Sequence, residues 1–248
     1  MRAAEHAPRG PYDFFERRHG LAVIVERRKE AEEKNLGPEA RNSSWSRWYR
    51  CSLCEQNYYG VVRCALGWAC WKAYLGRPES DWARMGAMTE LGIGLGETNK
   101  HEERIAIIET ELSTQLRVFP KNELDALDIK HNLARCYLLT GRLEEAARLF
   151  RLVYARQKVL AGATDDSTIR AAHQLASTLI ELGRYDQVKS LVLPLLRHHD
   201  GRRFRLAYAM ALYRPAGASR AEVFEAVEIL EKEVCKDCLL YTSPSPRD

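Results

Sequence analysis

The chain has 248 residues, enough for one or two domains with a sizeable core. An apolar share of 46% beside 29% charged residues excludes a disordered chain and suits a helical protein. The net charge of +4 is mild, and in the first fifty residues eleven Lys/Arg interleave with eight Asp/Glu, which describes a solvated helix face and not the one-sided basic stripe of a nucleic-acid reader.

The start is polar and the apolar run Leu21 to Val25 is short, so no signal peptide is expected. No uninterrupted apolar stretch is long enough to cross a bilayer, and neither membrane nor nucleic acid is expected as a partner. Seven cysteines at irregular places do not form a secreted disulfide framework. A reducing, intracellular setting, cytoplasmic or nuclear, is the expectation.

Residues 1–50 read as an N-terminal helical segment. A helix is expected from Tyr12 to Asn35, closed by Asn35-Leu36-Gly37-Pro38, where glycine accepts a left-handed turn and proline cannot continue. Ser43 or Ser44 then caps a short helix bearing Trp45 and Trp48. Residues 51–80 follow as a Cys/Trp-rich turn and helix. Cys51 and Cys54, two residues apart, match half of a tetrahedral zinc site, because such a turn lets both sulfurs face one ion. Cys64 and Cys70 lie in the apolar run VVRCALGWACWKAY, where six residues of helix put them on separate faces as small hydrophobes. Apart from zinc at Cys51 and Cys54, no cofactor is expected.

From Asp81 to Asp237 the chain reads as four helix pairs. Leu91, Leu133 and Leu175 recur at intervals of 42, as do Gly141 and Gly183. A fixed period of this size marks stacked helical hairpins. The first pair, WARMGAMTELGIGLGET and HEERIAIIETELSTQLRVF, turns at Asn99-Lys100. Gly86, Gly92, Gly94 and Gly96 predict fraying there, since each costs roughly 1 kcal/mol against Ala inside a helix. The second pair, within Leu127 to Gly162, carries an apolar series of Leu143, Ala146, Ala147, Phe150, Val153 and Tyr154 at helical spacing. The third starts at Ser167-Thr168, turns at Gly183-Arg184 and meets Pro194, which should kink or shorten its second helix. The fourth is RLAYAMALY, a turn from Pro215 to Ser219, and AEVFEAVEILEKEV.

The tail CLLYTSPSPRD, from Cys238 to Asp248, breaks this pattern and resembles an in-frame translation of a transposase-type sequencing adapter. On that reading it stands outside the fold, Cys235 and Cys238 are no functional C-x-x-C, and the natural chain runs on past Asp237 with more repeats.

Leu133, Ala134, Tyr137, Gly141, Ala146 and Phe150, with Leu175, Ala176 and Gly183 one period on, resemble the tetratricopeptide signature. The 42-residue spacing and the N-L-A-x-x-Y-x-x-x-G-R-x-E-E-A run are similar to the kinesin-light-chain type of that repeat. The resemblance implies an all-α, right-handed solenoid of antiparallel helix pairs that binds proteins. Arg104, standing where Ala146 stands one period later, departs from the signature and should loosen the first pair. A second resemblance concerns WSRWYRCSLCEQNYYGVVRCALGWACWKAYLGRPE, with Tyr58 and Gly60 after the cysteine pair. It is similar to the end of a RING-variant zinc finger in an algal family of tetratricopeptide proteins. That implies a ubiquitin-ligase role, yet residues 1–50 hold no cysteine, and Pro8, Glu16 and Gly20 stand where ligands belong. Either the finger has decayed or the 5′ end is mis-joined, and a complete two-zinc finger is not expected from this chain.

In such an array the first helices line the inner side. With Ala134 buried, Asp128, His131, Asn132, Arg135 and Leu139 are expected to face it, with counterparts Arg170, His173, Gln174, Ser177 and Glu181. Amides and Arg there suit the backbone and carboxylates of an extended peptide. Phosphate loops, nucleophile elbows and H-E-x-x-H are missing, and His131, His173, His198 and His199 lack carboxylates or cysteines of matching phase. No catalysis is expected. The function that follows is a protein-binding scaffold; the alternatives are a ligase through the incomplete finger and a structural spacer in a longer protein.

Overall fold

The structure, a computed structural model, describes residues 45–51, 53–196 and 201–241, without the side chains of 234–241. The expected helix from Tyr12 to Asn35, the caps Ser43 and Ser44, and His198 and His199 lie outside these residues. The described residues are helical apart from turns and one isolated antiparallel bridge, Arg50 with Asn57. The helices are α1 (Gly60–Tyr74), α2 (Trp82–Glu97), α3 (His101–Val118), α4 (Glu123–Leu139), α5 (Leu143–Leu160), α6 (Asp166–Glu181), α7 (Tyr185–Leu196), α8 (Arg202–Tyr213) and α9 (Arg220–Tyr241). Among the described residues no helix is long and apolar enough to cross a membrane. Two compact units divide the chain, one up to Ile129 and the other from Lys130.

In the first unit α1 packs on α2 and α2 on α3. Trp48, Leu66, Ala69, Cys70, Tyr74, Ala83 and Ala87 form one buried cluster, and Cys64, Leu91 and Leu95 another. The two cysteines thus serve two separate clusters along α1 as small buried groups. Trp45 stands 5.9 Å from Tyr74 and 5.3 Å from Trp82 between ring centres, so the turn before Cys51 is held by aromatic packing. Arg63 of α1 pairs with Glu90 of α2 in the buried contact and donates to the Trp48 carbonyl at 3.2 Å.

The expected fraying of α2 does not occur. A Cβ on Gly94 would lie 2.6 Å from the Cα of Cys64, and one on Gly67 2.9 Å from the Cα of Leu91. Bare backbone on both helices is what lets α1 and α2 meet, and that contact holds α2 continuous from Trp82 to Glu97. Arg104 does not loosen α3 either. Its guanidinium lies over Gly96, where a Cβ would come within 2.4 Å, so a large residue is matched by a missing side chain opposite.

In the second unit Leu133, Ala134, Tyr137, Ala146, Phe150, Leu175 and Ala176 are all buried, alanines letting backbones approach while Phe150 fills the space. Gly141 and Gly183 take positive φ of 76° and 70°. Each turn closes identically, Arg142 N–H to the Tyr137 carbonyl and Arg184 N–H to the Leu179 carbonyl, both at 2.8 Å. Asn99, another 42 residues earlier, has φ 58° and is followed by a Lys100 N–H to Leu95 carbonyl bond of 3.0 Å. The period therefore reaches one turn further back than the glycines reveal, because asparagine tolerates the left-handed region.

Three boundaries differ from expectation. α6 is capped by Asp165, whose carboxylate accepts the Ser167 N–H at 2.9 Å, two residues ahead of the expected Ser167-Thr168 start. α8 opens at Arg202, before the expected Arg205. α9 runs through the expected break at Cys238 to Tyr241, since Cys-Leu-Leu-Tyr contains no helix breaker before Pro244. Pro194 lies inside α7.

Candidate peptide-binding surface

The candidate surface is built by α4 from Lys130 onward, α6 and α8, each a first helix of its pair. Asn132 is half-buried and Arg135 exposed on α4; Arg170 is exposed and His173, Gln174 and Ser177 are half-buried on α6. Leu139 and Glu181, at the two helix ends, are exposed. Asp128, in the first unit, is exposed too.

His131 corrects the expectation. It is 7% exposed and packs edge-on to the Phe150 ring, 5.3 Å between centres, so it belongs to the core behind the surface. Burial, then the charges of Arg170 and Arg135, lower its pKa from 6.5 to about 4, and it stays neutral near pH 7. His173 is half-buried against Phe204, 6.4 Å between centres; burial, then Arg203, lowers its pKa.

The charged groups acting on the two histidines are all cationic: Arg135 of α4, Arg170 of α6 and Arg203 of α8. Asp165 also feels Arg170, but its carboxylate is committed to the α6 cap. Among the described residues the Asn132 amide carries no hydrogen bond. The arrangement offers forked cationic donors beside neutral amides, a set that takes carboxylates and peptide groups. Arg203 was not anticipated from the sequence. α6 begins at Asp166 and α8 already at Arg202, so the 42-residue step that locates the other positions fails for the fourth pair.

A second cluster sits at the tight turn of residues 50–57. Cys51 N–H bonds the Gln56 carbonyl at 2.8 Å and Glu55 N–H the Cys51 carbonyl at 3.0 Å. The Cys51 sulfur accepts N–H bonds from Cys54 and Leu53 and meets the Cys54 thiol and Tyr58 hydroxyl; together these draw its pKa to about 7. Burial and the Cys51 contact raise that of Tyr58. Two sulfurs on one turn would make up at most half of a tetrahedral zinc shell, and no group of three or more His, Cys, Asp or Glu that could hold a metal occurs among the described residues. Those residues therefore do not make up a full zinc site.

A tetratricopeptide-repeat family model matches residues 125–191. No curated protein matches the chain. Among solved structures, a kinesin light chain with nearly identical TPR-like repeats from Podosopora anserina is 16% identical, covering 90% of this chain and 98% of its own, with a TM-score of 0.60. BtubC (BKLC) from P. vanneervenii is 12% identical, covers 93% of each chain and has a TM-score of 0.64. At these identities the likeness speaks for the fold: an all-α, tetratricopeptide-like solenoid of helix pairs.

Proposed function

We propose that the protein is an interaction scaffold whose α4, α6 and α8 surface holds an extended, carboxylate-bearing peptide of a partner protein. The observation that carries this is the gathering of Arg135, Arg170 and Arg203 from three first helices around two neutral histidines. Asn132 pairs with a backbone amide of the peptide, giving and accepting one bond, while Arg135 and Arg170 take its carboxylates. The repeats supply a rigid frame for this, which suits binding without catalysis.

The test is fluorescence anisotropy of the full chain with a labelled Asp/Glu-rich peptide and its Asn/Gln counterpart. The acidic peptide is expected to bind tighter and to weaken as salt rises. Arg135→Ala with Arg170→Ala should weaken it by about tenfold or more, since a hydrogen bond to a charged group contributes about 1.5–3 kcal/mol. Asn132→Ala should cost about threefold to tenfold, at unchanged helix content. Equal binding of both peptides, or affinity untouched by the arginine pair, rejects the placement; no binding at all favours a spacer.

A further inference from the structure

We infer that the peptide crosses α6 and α8 in the polyproline II form, with two acidic residues three positions apart held by Arg170 and Arg203. This rests on the reading above, that an acidic peptide lies on this surface, and adds its backbone form and the spacing of its carboxylates.

The two arginines occupy the same place on successive first helices. Ala171 with Phe204, Ala176 with Ala209 and Leu179 with Leu212 are buried pairs, each 33 residues apart. Arg170 and Arg203 are separated by the same 33 residues, and both are exposed. Arg135 stands outside this row, because the 42-residue step from it reaches Ser177. α6 and α8 pack on each other, with the His173 and Phe204 ring centres 6.4 Å apart. As first helices of successive antiparallel pairs they run the same way, so equivalent positions stand about 8–10 Å apart, like the axes of packed helices.

Charge selects the occupant. Of the three arginines near the start of α8, Arg202 and Arg205 are drawn to the buried Glu233 of α9, at 3.8 and 2.6 Å. Among the described residues Arg170 and Arg203 make no ion pair or side-chain hydrogen bond. Two guanidinium groups in one row, each without such a partner, suit two carboxylates of one chain. The step between the helices then selects the backbone. Polyproline II has three residues per turn and rises about 3.1 Å per residue, so residues three apart share a face at about 9.3 Å. In a β-strand same-face residues lie about 7 Å or 13 Å apart, and residues three apart point to opposite faces. Only the first form matches the interval between the arginines.

The experiment measures fluorescence anisotropy of the full chain with labelled Ala/Pro peptides of equal length. Each carries two Glu at a separation of one to four residues and is run beside its Gln counterpart. The separation of three is expected to bind about threefold to fivefold tighter than the others, the effect of one added exposed charge pair. Arg170→Ala and Arg203→Ala should each level that preference, at unchanged helix content. Arg151→Ala, which removes an exposed charge from α5, should keep it. A tightest separation other than three, or a preference that survives both arginine variants, overturns the inference. Equal binding at all four separations, above the Gln peptides, also overturns it while leaving the acidic-peptide reading in place. If no Glu peptide exceeds its Gln counterpart, that reading fails first and the spacing falls with it.

Discussion

The two units bring helices together by opposite means. In the first, α1 and α2 meet through glycines, Gly67 against the Leu91 backbone and Gly94 against the Cys64 backbone, with the Arg63–Glu90 pair buried beside them. In the second, Ala134, Ala146 and Ala176 keep the approach close and Phe150 fills what remains. A glycine contact leaves no room for any side chain. An alanine contact leaves a shaped volume that one aromatic ring can occupy. Close packing therefore constrains the first unit through backbone and the second through side-chain volume.

Three measurements can break or sharpen that contrast. The largest effect is expected from Phe150→Ala, which empties the volume in the second unit and should cost about 3–5 kcal/mol in denaturant unfolding. Hydrogen exchange should then speed in α5 and α6. Next, Gly94→Ala pushes a methyl group against backbone that has no rotamer with which to yield. It should cost about 1–3 kcal/mol, with exchange speeding in α1 and α2. If Gly94→Ala is neutral, the glycine contact is not what orders α2. The smallest effect is acid-linked. His131 has its pKa lowered to about 4 in the folded chain against 6.5 unfolded, so between these values the unfolded state binds the extra proton. Stability should be whole above pH 6.5 and fall towards pH 4, by on the order of 2 kcal/mol. His131→Phe should remove that slope; a slope unchanged in the variant would place the acid sensitivity elsewhere.

The helix pairs between residues 82 and 196 were legible because their signal is local: apolar residues at helical spacing, ended by turns that need a left-handed residue. Gly141 and Gly183 announce those turns, while Asn99 does the same work under a residue type with many other uses. The candidate surface was legible in part. Phase along α4 and α6 named Asn132, Arg135, Arg170 and His173, but one residue of phase separates facing the surface from facing the core. His131 fell on the core side because Phe150 offers its ring there. Arg203 was not found, since its helix begins out of step with the period.

By itself the sequence determined the helix pairs, their repeat and the residues that must be hidden, because periodicity and turn chemistry act over a few neighbouring residues. Only the tertiary structure decided that the glycines of α2 are contacts and not weak points, and that Arg104 has a glycine opposite it. It alone gathered three arginines from three helices. Each of these depends on which atom of a distant residue stands across a gap of a few ångströms, and no local pattern in the chain carries that information.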